Sequence, residues 1–252
     1  MIYFILSKVM NCIKFLIVYL YSTLLSPIIL LIIQPSLHLI TTSSLFNINC
    51  YNYLIIALGI RPTIIKDEPL IDSGFILANH RCWVDFAYDP YFTNASILGR
   101  KIAFYAVYMF YILGCISNRM ILFTRGNSSR KQIYDLMDNN INNYQNGRVV
   151  FYPEGTRQNY LHLNNKDDLC DKLKKGLLKE IYMRNQYPVQ LFISSNKELA
   201  MNEKQLFINY GMNIKSILSK SIHPKDYPNF EMFLDEICIV WYDAWTRAYT
   251  DS

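Results

Sequence analysis

Two short polar clusters each follow an apolar run. Asn79-His80-Arg81-Cys82-Trp83-Val84-Asp85 follows Phe75-Ile76-Leu77-Ala78, and Tyr152-Pro153-Glu154-Gly155-Thr156-Arg157 follows Val149-Val150-Phe151. A His with an Asp five residues later can form a general base and the carboxylate that orients it, the pair found in Ser-His-Asp hydrolases. Five residues turn through about 500° of α-helix, so one regular helix would point the two side chains apart. They meet only if His80 lies on a strand-to-helix turn and Asp85 in the first helical turn. The same spacing recurs from His162 to Asp167, in a polar stretch that follows no strand, and there it reads as surface loop. Taken alone, His80 reads as a hydrogen-bonded polar residue rather than as a catalyst. The second cluster is what adds to it. Pro153 fixes a turn, Gly155 is permissive, and Thr156 and Arg157 bring a hydroxyl and a guanidinium together. Arg157 can grip a phosphate bidentately, with Thr156 or backbone N–H groups completing the cradle. The alternative is a surface turn capped by Glu154 or Thr156.

The elements that must position these groups are an alternation of strands and helices beyond Arg61. Phe75–Ala78 is a short apolar run after Asp72-Ser73-Gly74 and reads as a buried strand. A helix can be capped near Ser128 and Ser129, with Ile133, Leu136, Met137, Ile141 and Tyr144 on one face and Gly147 at its C-cap. Val149–Phe151 is the next strand. Leu169–Arg184 follows as an amphipathic helix with Leu173, Leu177 and Ile181 inward, and Pro188–Ile193 is a further strand. Phe230–Trp245 is apolar with interspersed acids, a strand or a helix that packs on the core or dips into a membrane interface, with Trp241 and Trp245 expected in the core rather than at the interface. The pattern predicts an α/β domain over 61–252, a central mostly parallel or mixed sheet flanked by helices.

The chain has 252 residues, 52% of them hydrophobic and only 18% charged, which excludes a disordered chain. The missing charge has an address: from Phe15 through Ile60 there is no Asp, Glu, Lys or Arg. Residues 1–60 therefore read as a hydrophobic membrane anchor. Phe15–Ile33 is about the length of a transmembrane helix, and Leu45–Ile60 suits an interfacial or re-entrant segment. The net charge of +5 fits an anionic lipid surface or a phosphorylated substrate, or an ordinary solvated surface. No Lys/Arg cluster or nucleic-acid motif is present, so nucleic acid is not an expected partner. Six scattered Cys without a C-x-x-C pair read as neither a disulfide framework nor a zinc site, and fit a domain facing a reducing compartment. No metal ligand set and no cofactor motif is evident.

Asn79-His80-x4-Asp85 followed by Phe151-x-Pro153-Glu154-Gly155-Thr156-Arg157 resembles the glycerolipid acyltransferase superfamily, in particular the lysophosphatidic acid (1-acylglycerol-3-phosphate) acyltransferases. The separation of the two motifs is similar to the family's. The resemblance covers roughly Asp72 to Ser194, and the hydrophobic front segment resembles the family's membrane anchor. Two further family blocks are matched in part. Met120–Arg125 supplies a short apolar strand ending in Arg125, but the family's preceding Pro is missing and Gly114 is displaced. The late block, usually two prolines flanking valines, is reduced to Pro188-Val189-Gln190-Leu191.

The resemblance implies a reaction. His80 would act as general base on an acceptor hydroxyl as that oxygen attacks the thioester carbonyl of acyl-CoA or acyl-carrier protein. Asp85 would fix the imidazole tautomer and stabilise the imidazolium. The acceptor phosphate of lysophosphatidic acid or a related lysophospholipid would lie against Glu154, Gly155, Thr156 and Arg157, with help from Arg125. Glu154 would orient the loop or the acceptor hydroxyl, since it repels a phosphate. Arg81 and Arg119 are further phosphate contacts or ordinary surface arginines. The acceptor is left open between lysophosphatidic acid, glycerol-3-phosphate and lysocardiolipin, and a transacylase is a close variant. A catalytically silent membrane-interaction protein of the same fold is the alternative of another class. Membrane lipids, the acceptor and the acyl thioester are the expected partners, and no protein partner is expected. With Lys8 and Lys14 cytosolic, a single span would carry His80 away from cytosolic thioesters. A helical hairpin or monotopic pair is therefore expected, with the catalytic domain on the cytosolic face of the membrane.

Overall fold

The computed structural model describes residues 2–21, 52, 54–102, 119–124, 126, 128–144, 147–158, 163 and 165–250. After helix α1 (Ile2–Leu20) come strands β1 (Arg61–Lys66) and β2 (Gly74–Ala78), helix α2 (Asp85–Thr93), then β3 (Ser96–Arg100) and β4 (Met120–Phe123). Helix α3 (Arg130–Asn142), β5 (Arg148–Phe151), α4 (Lys166–Cys170), α5 (Lys175–Arg184) and β6 (Val189–Ser194) follow. The chain then forms α6 (Lys197–Ala200), a small hairpin β7 (Met201–Asn202) and β8 (Phe207–Ile208), the long β9 (Asn213–Ile222) and helix α7 (Phe230–Tyr249). Seven strands make one sheet in the order β1-β9-β6-β2-β5-β3-β4. Every neighbouring pair is parallel except β6 with β9.

The central strands are apolar on both faces because both faces are covered. Alternation along β2 sends Ile76 and Ala78 into a core shared with α1 and α2. Phe75 and Leu77 enter a second core with α3, α5 and α7. β5 and β6 divide in the same way, Val150 and Phe192 to one side, Val149, Phe151, Leu191 and Ile193 to the other.

Several elements differ from their sequence reading, each for a physical reason. α3 begins at a capping box, Ser129 accepting from the Gln132 N–H while the Gln132 side chain accepts from the Ser129 N–H. Its buried face is Tyr134, Met137 and Ile141, leaving Leu136 exposed. The helix ends at Asn143, and Gly147 serves a different purpose: a Cβ there would meet the Ile141 carbonyl at 2.0 Å. The helix expected over Leu169–Arg184 is two, because Lys174 turns extended and gives its N–H to the Pro153 carbonyl at 2.7 Å. Phe230–Trp245 lies within the single helix α7, with Trp241 and Trp245 buried against the sheet.

Two expectations are corrected. α1 starts ahead of Phe15 and carries Lys8 and Lys14, and among the described residues no helix is long and apolar enough to cross a membrane. Most of Phe15–Ile33 and half of Leu45–Ile60 lie outside the described residues. α1 instead lies on the protein: Phe15 and Val18 are buried, and Phe15 packs its ring 6.0 Å from that of Trp83. The cysteines are corrected too. Cys170 of α4 and Cys238 of α7 form a disulfide, so cysteine usage no longer points to a reducing compartment.

Candidate functional site

β2 and β5 are parallel neighbours, with Leu77 opposite Phe151. The loops leaving their C-terminal ends therefore emerge side by side, which is where ligand crevices form in open α/β sheets. This register brings together two motifs distant in sequence. The His80 N–H donates to Glu154 Oε2 at 2.5 Å, and the Gln158 N–H donates to the His80 carbonyl at 2.9 Å. Glu154 is fully buried and faces the His80 backbone. Asn79 braces the same turn against β6, exchanging hydrogen bonds of 2.9 Å with the backbone of Ser194 in both directions.

His80 sits on the turn and Asp85 is the first residue of α2, so the five-residue spacing closes. The His80 Nδ1 lies 2.7 Å from Asp85 Oδ2. A carboxylate can only accept, so Nδ1 carries the proton and Nε2 is left as the acceptor. The ring stacks on Tyr152 at 4.4 Å between centroids, with Phe86 edge-on at 5.4 Å. Asp85 Oδ2 also accepts from the N–H groups of Arg81 and Cys82. Its Oδ1 faces the ammonium of Lys197 at 3.1 Å. Burial works against ionisation of Asp85, but Lys197 and His80 outweigh it and hold the carboxyl below its ordinary range. Burial pushes the Cys82 thiol up, which keeps it protonated and unreactive.

Nearby is a cavity of 790 Å³, within the range of small-ligand pockets. His80 and Tyr152 stand in its wall. Trp83, Phe86, Leu98, Phe123, Ile133 and Leu177 supply apolar surface, and Arg100, Arg130, Arg157, Lys174 and Lys175 supply positive charge. No carboxylate is among its described lining residues. Arg130 is held close to α5: a Cβ on Gly176 would meet its Nε at 2.4 Å. Gly155 has φ +72°, a left-handed conformation that suits Gly, and its carbonyl accepts from Arg100 Nη2 at 2.9 Å.

The expected phosphate residues are thus only partly gathered. Thr156 is exposed at the cavity rim, and Arg157 lines the cavity but pairs with Glu203, which also accepts from the Trp83 N–H. Arg125 and His162 lie outside the described residues. Arg81 and Arg119 are not surface residues, and neither is among the described lining residues of this cavity. Both are buried, Arg81 over the Trp245 ring at 4.2 Å and Arg119 over Tyr144 at 4.3 Å. Sequence reasoning missed Arg100, Arg130, Lys174, Lys175, Lys197 and Asp89. Only Asp89 left a signal: it stands four residues after Asp85, and two carboxylates on one helix face call for a cation. Among the described residues no group of three or more His, Cys, Asp or Glu could hold a metal ion.

No protein-family model matches the chain, and no curated protein sequence matches it. Among solved structures, the chain is similar to the crystal structure of the 1-acyl-sn-glycerophosphate (LPA) acyltransferase PlsC from Thermotoga maritima. The TM-score is 0.68 and the identity 12%, over 95% of each chain. At that identity the likeness is one of fold, and the fold is the α/β sheet and helices described above.

Proposed function

We propose that the chain is a membrane-associated O-acyltransferase that moves an acyl group from a thioester to a hydroxyl of lysophosphatidic acid or a related lysophospholipid. The observation that carries this reading is the His80–Asp85 pair set in the wall of a cavity that is apolar and cationic at once. A phosphorylated lipid needs both kinds of surface, one for its chain and one for its headgroup. His80 Nε2 takes the proton of the acceptor hydroxyl as that oxygen attacks the thioester carbonyl. The tetrahedral intermediate then collapses, the C–S bond breaks, and the imidazolium returns its proton to the thiolate. Because the acceptor hydroxyl is the nucleophile, no acyl-enzyme forms. Acyl-CoA or acyl-carrier protein is the donor, and no further cofactor takes part.

Glu154 orients the His80 turn from below rather than touching the acceptor. The phosphate is assigned to Arg100, Arg130, Lys174 and Lys175 together with the Gly155-Thr156-Arg157 loop. Arg157 joins in when the phosphate displaces Glu203, and Arg125 keeps its expected supporting role. Attachment to the membrane is monotopic. Leu6, Val9, Met10, Ile13, Leu16, Ile17 and Leu20 recur at helical spacing on the exposed side of α1, an apolar face suited to lipid. The catalytic domain is assigned to the cytosolic face on the ground that acyl thioesters are made there, not on its cysteines, since a disulfide such as Cys170–Cys238 is rare in that compartment.

The test is to incubate wild type and His80→Ala, each in membranes, with labelled acyl-CoA and a panel of lysophospholipids and glycerol-3-phosphate. Acylation of one or more acceptors by the wild type alone is expected. Absence of His80-dependent transfer to any acceptor overturns the reading.

A further inference from the structure

Behind the His80–Asp85 pair lies a buried charge cluster that the proposed reaction does not itself require. Lys197, the first residue of α6, is fully buried. Its ammonium reaches Asp85 Oδ1 at 3.1 Å, both oxygens of Asp89 at 3.0 and 2.9 Å, and the Asn79 carbonyl at 3.1 Å. All three of its N–H donors are thereby used. A lysine is almost never fully buried without such partners, because an uncompensated interior charge costs several kcal/mol.

We infer that Lys197 is a positioning residue for the base. Its ammonium, clamped between Asp85 and Asp89, holds the Asp85 carboxylate in the orientation that meets His80 and takes up part of the charge that would otherwise bind the imidazolium. This inference rests on the reading of His80 as base.

Geometry supplies the first half. Asp85 Oδ2 is engaged by His80 Nδ1 and two backbone N–H groups, and Lys197 fixes Oδ1, so the carboxylate is pinned at both oxygens. The Asn79–Ser194 brace ties the end of β2 to the end of β6, which carries Lys197 beneath the His80 turn. Electrostatics supplies the second half. A carboxylate shared with an ammonium attracts the imidazolium less than a carboxylate facing His80 alone. Asp89 balances Lys197 from the far side. Burial pushes the Asp89 carboxyl up to about 7 despite the ammonium beside it, with Asp85 adding to the rise. The other titratable groups facing the cluster are the thiol of Cys82, the hydroxyls of Tyr88 and Tyr152, and Glu198.

Two substitutions shift the balance in opposite directions, and both preserve side-chain volume. The double variant Lys197→Met with Asp89→Asn removes one charge of each sign and leaves Asp85 with His80 and two backbone N–H groups as its partners. Asp89→Asn alone leaves Lys197 with Asp85 as its one ionised partner in the cluster. The readouts are the acid limb of the kcat/KM profile for acyl transfer and the His80 ring titration followed by 15N NMR. In the double variant both midpoints rise, because the ammonium removed touches Asp85 directly. In Asp89→Asn they fall. Unmoved midpoints in Asp89→Asn, or shifts of the same sign in both variants, overturn the inference. Asp89→Asn can overturn the inference even if the double variant does not fold. The NMR titration needs no substrate, so a failed acyl-transfer reading is distinguishable from a failed positioning role.

Discussion

At the residue scale, the His80–Asp85 pair is an orientation device. The 2.7 Å contact puts the proton on Nδ1, and the ring is held between Tyr152 and Phe86. Asp85→Asn keeps the shape but can offer its NH2 to Nδ1, which favours the other tautomer and removes the acceptor from Nε2. Such a change is expected to lower kcat about 10³-fold or more while leaving acceptor KM nearly unchanged. A KM-dominated loss would instead assign Asp85 to substrate binding. The pair was legible in the sequence because its partners are five residues apart and the turn between them follows an obvious strand. Lys197 was not legible, since it lies 108 residues from Asp89 and only the finished sheet brings them together. Arg81 misled for the same reason: nothing local announces that Trp245 will cover it.

At the scale of elements, the cavity depends on how α3 and α5 bring their first residues together. Arg130 opens α3, Lys175 opens α5, and Gly176 lets the guanidinium lie against the α5 backbone. Gly176→Ala places a methyl where the flexible end of Arg130 lies, and the side chain can swing away at little cost. In addition, Ala in a helix is favoured over Gly by roughly 0.5–1 kcal/mol. The variant is therefore expected to melt at or above the wild-type temperature while raising KM for a phosphorylated acceptor. A lowered Tm with unchanged KM would contradict the role given to Arg130. The alternation of strands and helices was readable from hydrophobic periodicity, but element boundaries were not. The break before α5 comes from the Pro153 carbonyl, 21 residues away, and the close approach at Gly147 from the way the chain doubles back on Ile141 after α3.

For the whole molecule, the sheet edge and the C-terminal helix are tied by carboxylates whose ionisation stabilises the folded state. Asp67, just after β1, accepts from both terminal nitrogens of Arg247 on α7, at 2.7 and 2.8 Å. Glu68 accepts from the N–H and hydroxyl of Ser221 on β9, each at 2.9 Å. The Arg247 hydrogen bond holds Asp67 below its ordinary value of 3.8, and the Ser221 hydrogen bonds hold Glu68 below 4.5. A carboxyl depressed by folding contributes stability that is present above its unfolded value and lost as pH falls through the folded one. Thermal melts are thus expected to fall as the pH is lowered from about 5 towards 3, and Asp67→Asn with Glu68→Gln should flatten that slope. An unchanged slope in the double variant would remove these contacts from the acid response. The Cys170–Cys238 bond adds a second tie between α7 and the body of the protein, through α4. Scattered cysteines could not reveal it, because the two are 68 residues apart and meet only when α7 packs on the sheet.

The proposed membrane attachment and the proposed catalysis meet at this same scale: α1 is packed by Phe15 against Trp83, a residue of the cavity wall, while its other face is apolar and exposed. A lipid acceptor reaching the cavity from the bilayer would arrive beside His80. The most direct measurement is kcat/KM for acyl transfer from labelled acyl-CoA to the best lysophospholipid acceptor, wild type against His80→Ala, with equal folded protein verified for both. A loss of about 10²- to 10⁴-fold in the variant is the expected result for removal of a general base. Equal rates in the two proteins would contradict it.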